Sequence, residues 1–292
     1  MTLVRNYDAA TATRGAWRHA LGLLDYPALV WRNRFMVQNF LRRDLMSRVN
    51  GSFLGIGWML LQPLFLFAVY FLIFGVFFDR TGQGPNASFA IYLFSGVIVF
   101  HALAEATTQC STLIVDNGNL VKKVAFPAEA LLVPPVASSI VTYLVGAIVC
   151  LIAGLAIGVA RPGWLLLAWP LVMAVQFVFT LGVGMLLANL YVFVRDIAQL
   201  WRILVMAWMF LSPVFWAQDQ LEGIPEWARW TMMNVNPAYP LLQAHRLVLG
   251  GDAASLGPFW PQLGVVAAAS FVLFVVGYGV FMSRKHKYSD LI

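Results

Sequence analysis

The stretch WLLLAWPLVMAVQFVFTLGVGMLLANLYVF (Trp164–Phe193) contains no charged side chain. A helix needs about 20 mostly apolar residues to cross a ~30 Å hydrocarbon core, and this stretch exceeds that length. Working outward, the same reading finds Trp58–Phe78, Phe89–Thr108 and Leu131–Gly158 before it, and Leu200–Trp216 and Leu263–Met282 after it. The third and fourth spans are longer than a crossing needs, which predicts tilt or kinks, with Pro134-Pro135 and Pro170 as the kink sites. The fifth is short and carries Arg202. The expected fold is an all-α polytopic membrane protein with six transmembrane helices across residues 58–282. A cytoplasmic N-terminal region (1–57) precedes them and a cytoplasmic tail (283–292) follows.

Composition leads to the same class. Of the 292 residues, 61% are apolar and 11% charged, and the mean hydropathy is +0.77. A soluble domain carries about 25% charged residues. A soluble globular enzyme is excluded, and so is a disordered chain. Two cysteines, Cys110 and Cys150, cannot build a disulfide framework.

The net charge of +6 is explained by topology rather than by nucleic acid. The first 57 residues show no isolated apolar signal-peptide core and carry Arg5, Arg14, Arg18, Arg32, Arg34, Arg42, Arg43 and Arg48. With the N-terminus in the cytoplasm, Lys122, Lys123, Arg195, Arg202, Arg284, Lys285 and Lys287 fall on the same side. Only Arg80, Arg161, Arg229 and Arg246 lie outside. That bias obeys the positive-inside rule, and an even number of spans puts both termini in the cytoplasm.

Three regions outside the spans have readable patterns. Within Asp25–Asn50, Val37, Phe40, Leu41, Leu45 and Val49 recur at helical spacing among Arg34, Gln38, Arg42, Arg43 and Arg48. This predicts an amphipathic helix at the cytoplasmic headgroups. Within Asp116–Glu129, turn residues precede a short LVKKV run and then Pro127, so a turn or two of helix is expected there, stopped by the proline. It reads as a solvated loop or as a docking helix for a cytoplasmic partner. In Ala217–Pro261, a helical pattern starts at Pro225 with Trp227 and Trp230 three apart. Asn236-Pro237 has the form of a cap followed by proline at the first helical position, opening a helix over Ala238–Leu249 that ends at Gly250-Gly251. Two short helices here suit a re-entrant or gating element, or an outer loop with belt aromatics.

The chemistry of an enzyme is missing. No G-x-x-x-x-G-K-[ST] occurs, so this chain has no P-loop of its own, and no metalloprotease or nucleophile-elbow motif occurs either. No cofactor or metal is expected on this chain. His101 and Glu105 sit four apart within a span and read as a buried hydrogen-bonded pair. The first span is aromatic, with Phe67, Tyr70, Phe74 and Phe77 along one helical face. Aromatic rings stack on the C–H faces of sugars, so such a stripe can either face lipid or line a conduit. An ion channel would need carbonyl or carboxylate rings.

RRDLMSRVNGSFLGIGWMLLQPL (Arg42–Leu64) resembles the leading motif of the permease subunits of ABC-2 type polysaccharide exporters, at Arg43, Asp44, Leu45, Arg48, Ser52, Leu54, Gly55, Trp58 and Pro63. GNLVKKVAFPAEALLV (Gly118–Val133) resembles that family's cytoplasmic segment between spans two and three. FVRDIAQLWRILVMAWMFLSPVFW (Phe193–Trp216) resembles its Arg-Asp-Ile and Ser-Pro boundaries around span five, and Asn236-Pro237 with Arg246 its outer segment. The motifs occur in family order over residues 35–285. Val49 departs from the tyrosine often found there, and the first 30 or so residues are not covered.

The resemblance implies a homodimeric pore above two copies of a cytoplasmic ATPase that binds ATP and Mg. It implies that Arg42, Arg43, Asp44, Arg48, Asn119, Lys122, Lys123, Phe126 and Pro127 couple to that ATPase. Trp58, Phe67, Tyr70, Phe74, Phe77 and Trp216 would line the polymer conduit. Trp227, Trp230, Asn236, Pro237 and Arg246 would form a periplasmic gate. The cargo would be a lipid-linked polysaccharide, either capsular polymer or O-antigen, moved across the bacterial inner membrane and passed to any periplasmic or outer-membrane export proteins. A teichoic-acid exporter and an ABC-2 drug or lipid permease share the architecture. A membrane-embedded enzyme would need convergent acid, base or metal groups, and intramembrane charge here is sparse.

Overall fold

A computed structural model describes residues 21–47, 53–70, 72–73, 77, 87–122, 127–221 and 223–292. All regular structure among them is helical. In chain order the principal helices are α1 (Tyr26–Arg32), α2 (Arg34–Ser47), α3 (Trp58–Tyr70), α4 (Ala87–Asp116), α5 (Val133–Ile157), α6 (Trp169–Phe193), α7 (Ile197–Leu211), α8 (Glu226–Trp230), α9 (Ala238–Val248) and α10 (Phe259–Arg284). Among the described residues, four segments are long and apolar enough to cross a membrane: Ser88–Asp116, Ala128–Ala156, Trp164–Phe193 and Phe259–Lys287. Two further apolar helices, Trp58–Val69 and Ile197–Leu211, are shorter. The protein is a multi-pass membrane protein.

The expected kinks are absent from the prolines named for them. Pro134 and Pro170 each fall in the first turn of their helix, where the missing N–H removes a bond that no residue would have made. Those prolines start α5 and α6 instead of bending them. A 3₁₀ turn precedes each of these helices, Ala128–Leu132 before α5 and Trp164–Ala168 before α6. In α3, Pro63 lies in the helix interior. Helix α5 ends at Gly158, whose φ of +80° lets Val159 and Ala160 donate back to the Gly154 carbonyl.

Contacts between helix ends fix the topology. At one end lie the C-termini of α4, α6 and α10 and the N-terminus of α5. There Arg284 stands over the Phe193 ring, Tyr26 donates to the Glu129 carbonyl and Lys285 pairs with Glu129. At the other end the Arg161 N–H donates to Gly250 O at 3.1 Å, and Trp164 approaches Trp260. So α6 and α10 run parallel, and α5 runs opposite to both. Helices α6 and α10 form the most extensive helix pair among the described residues.

Lipid tails are as apolar as leucine, so contact between spans depends on close packing more than on hydrophobic burial. A Cβ on Gly182 would lie 2.7 Å from Phe274 N, and one on Gly277 would lie 2.5 Å from Gly182 O. The two backbones touch there because both residues lack side chains.

Candidate functional site

The N-terminal segment folds as two helices broken at Asn33, whose amide side chain donates to Leu29 O at 2.8 Å. Val37 is buried against the start of α5, and Phe40 is half-buried. Arg42 and Arg43 are exposed, and the Arg43 guanidinium stands 4.5 Å from the Phe40 ring centre. Asp44 is half-buried, with its carbonyl taking the Ser47 hydroxyl. Trp31 is 69% exposed and Phe35 67%, and Arg34 lies over both rings. A cation beside two open aromatic rings suits the boundary between headgroups and acyl chains. Arg48 lies outside the described residues.

In the segment after α4, one helical turn forms at Gly118–Val121, ahead of Lys122. Asn119 and Lys122 are exposed and Pro127 is half-buried. Lys123 and Phe126 lie outside the described residues. Glu129 follows on a buried turn, where its side chain pairs with Lys285 at 2.5 Å. Burial, and then the neighbouring Glu129, push the Tyr26 hydroxyl pKa up, so Tyr26 stays protonated and donates. The Tyr288 hydroxyl is likewise raised by burial and donates to Asn189 Oδ1 at 3.0 Å. Sequence reading overlooked Glu129, Asn189 and Tyr288. The polar residues inside otherwise apolar runs were the available signal, because a buried polar group in a span needs a partner.

The expected conduit residues do not share one open face. Phe67 turns inward and meets Phe94 at 4.9 Å between ring centres. The exposed face of α3 is formed by Trp58, Leu61, Phe65 and Val69. Phe77 is 73% exposed. Trp216 donates from its indole N–H to Phe210 O and stacks on Tyr239. The Tyr70 side chain and Phe74 lie outside the described residues. His101 and Glu105 are both half-buried. His101 faces Gln62 at 3.5 Å, and Glu105 accepts from Gln109 at 3.4 Å.

The expected gate residues separate into two groups. Trp227 and Trp230 are exposed on α8, which passes into a π turn at Thr231–Val235. Asn236 and Pro237 are half-buried. All of α9 is buried, between α4, α6 and α10.

Helix α7 stops at Leu211 because Pro213 forces Ser212 out of the helical region (φ −98°, ψ 154°). At a 1.5 Å rise per residue, α7 spans roughly 22 Å, less than a full crossing. The Asn236 side chain joins it to α9. Its amide donates to Leu211 O and Ser212 Oγ, and its carbonyl accepts from Trp208 Nε1 at 2.8 Å and from the Ala238 N–H at 3.0 Å. The excursion 213–235 therefore leaves and returns at a single point.

Arg246 is 4% exposed. Its guanidinium lies 3.4 Å from the centre of the Tyr92 ring and donates to Tyr92 O, Ser95 Oγ and Gln243 Oε1. One residue earlier, His245 Nδ1 lies 2.7 Å from the Tyr143 hydroxyl, which accepts from Trp169 Nε1 at 2.9 Å. With the indole donating, the Tyr143 proton points at His245 Nδ1. These two networks bolt α9 to α4, α5 and α6.

This arrangement is found in a chain whose residues 37–249 match the family of ABC-2 type transporter membrane proteins. The chain belongs to the ABC-2 type transporter family. The ABC-2 chain is also similar to three proteins named O-antigen export system permease protein RfbA. The one from Myxococcus xanthus is 27% identical over 263 residues, covering 90% of this chain and 97% of that protein. Two from Klebsiella pneumoniae are 23% and 24% identical, each covering 86% of this chain and 92% of the relative. The ABC-2 match begins within α2 and ends just past α9, so the residues expected to couple and to gate lie inside it. The tail that packs on Gly118 and Glu129 lies beyond it.

Proposed function

We propose that this chain is the transmembrane subunit of an ABC exporter that carries lipid-linked polysaccharide, capsular polymer or O-antigen, from the cytoplasm across the bacterial inner membrane. The single observation carrying this reading is the nearly end-to-end similarity to O-antigen export permeases. ATP and Mg are bound by a separate cytoplasmic ATPase, two copies of which dock beneath a homodimer of this chain.

Six crossings make up the pore-forming unit: the first span, begun by α3, the four long spans, and α7 continued by α9. The end of the bundle carrying Arg42, Arg43, Lys122, Arg195, Arg284, Lys285 and Lys287 faces the cytoplasm, as positive-inside bias requires. Exposed Arg42, Arg43, Asn119 and Lys122 form the docking face for the ATPase. ATP-driven closure of the ATPase pushes on α2 and on residues 118–127. The pore then opens because each nucleotide state favours a different arrangement of the spans. Exposed aromatics of α3 give the polymer weak stacking contacts of about 1 kcal/mol each, by analogy with aromatic pairs. Trp227 and Trp230 sit at the outer exit.

Deletion of the gene should abolish surface polymer and leave lipid-linked polymer in the cytoplasm, with restoration by an intact copy. Surface polysaccharide analysis reads this directly. Normal surface polymer in the deletion strain would remove the polysaccharide reading and favour drug or lipid cargo. Lys122→Glu, combined with Lys123→Glu, should cut co-purification of the ATPase several-fold at unchanged permease level. Full co-purification together with full export would remove the docking role of these lysines.

A further inference from the structure

The Gly118–Lys122 turn is too short to hold its own shape, because an isolated helix becomes self-sustaining only at ~12–15 residues. Its N-cap, Asn117, makes no side-chain cap and instead donates to Leu113 O. The packing that covers the turn comes from the far end of the chain. A Cβ on Gly118 would collide with Ile292 Cγ2, and Val121 and Ile292 border the same buried cluster. Tyr288 is completely buried. Its hydroxyl is fixed on Asn189 of α6 at 3.0 Å, and its ring meets Phe281 edge-on at 5.3 Å. Three residues earlier, Lys285 reaches Glu129, just beyond Pro127. The tail therefore touches the chain at two described points, Gly118 and Glu129.

We propose that Lys285–Ile292 is a clasp that sets the orientation of the Gly118–Lys122 turn, so that Asn119 and Lys122 are presented to the ATPase. This rests on the reading of that turn as a docking element. Tyr288 and Ile292 are positioning residues that act on the ATPase through the turn. The clasp explains why position 118 is glycine: any side chain there would occupy the space Ile292 fills.

The test uses full-length permease carrying Val121→Cys, a half-buried position, with the native cysteines buried. Two quantities are read: the rate of labelling by a membrane-impermeant maleimide, and ATPase co-purification. Tyr288→Ala should raise labelling several-fold and lower co-purification several-fold. Tyr288→Phe, which keeps the ring, should stay close to the parent. Gly118→Ala should lower co-purification, and adding Ile292→Ala should restore it. That pair keeps the test decisive if Tyr288→Ala is not assembled. Unchanged labelling in Tyr288→Ala, or failure of Ile292→Ala to rescue Gly118→Ala, overturns the clasp. Raised labelling with the ATPase fully retained leaves the clasp in place and overturns the docking reading beneath it.

Discussion

Arg246→Lys is expected to lose most of the assembled permease from the membrane, while Arg246→Met retains more of it. The usual expectation for a cation is the reverse. Arg246 makes its bonds to neutral acceptors, Tyr92 O, Ser95 Oγ and Gln243 Oε1, and lies on the Tyr92 ring face. A planar guanidinium can donate to all three while stacking. An ammonium is a compact, strongly hydrated charge that cannot do both. Lysine would keep the desolvation cost and forfeit most of the compensation, a loss on the order of 2–4 kcal/mol.

Methionine removes the charge with its cost. Two of the acceptors it leaves behind, Tyr92 O and Ser95 Oγ, are already bonded to each other. Gly96→Ala should resemble the lysine variant, because its Cβ would come within 2.5 Å of Arg246 Nη2. Membrane abundance and thermal stability in detergent, read by size-exclusion profiles, rank the variants. Lysine at parental stability with methionine unstable would mean that charge itself, not the fitted fork, holds α9.

The second large effect is expected at the α6–α10 contact. Gly277→Ala should lower the midpoint of thermal unfolding by several degrees, because the added methyl would lie 2.5 Å from the Gly182 carbonyl oxygen. Backbone cannot swing aside as a side chain can, so the helices must separate. Overpacking of this kind costs about 1–3 kcal/mol. Gly264→Ala, on the same helix, is the control, since its Cβ would meet nothing within 4 Å. There the substitution should be neutral or stabilising, because glycine in a helix interior costs roughly 1 kcal/mol relative to alanine. Equal shifts for the two variants would dismiss the close-contact account.

Much of the candidate site was legible as position but not as environment. The LVKKV run and Pro127 marked a short cytoplasmic helix, and one turn is present beside them. Asn236-Pro237 marked a helix start, and α9 begins there. Arg246 looked like an outer-face cation, because a sequence reports charge and spacing but not which neighbours enclose a side chain. The aromatic stripe of the first span shows the same limit. Helical spacing groups Phe67 with other rings, but Phe67 packs against Phe94 on α4, while Trp58, Leu61, Phe65 and Val69 face outward.

What the sequence determined by itself was the class of the protein and the order of its parts. Uncharged runs longer than a bilayer is thick have few alternatives to helical spans, and prolines and glycines mark where such runs stop. The tertiary structure alone decided which faces meet. It ended the expected fifth span at Leu211, made a buried bolt of Arg246, and brought Ile292 onto a turn some 170 residues away in the chain. Those outcomes depend on contacts between residues distant in sequence. In lipid such contacts are selected by shape and hydrogen-bond complementarity, which composition and periodicity do not encode.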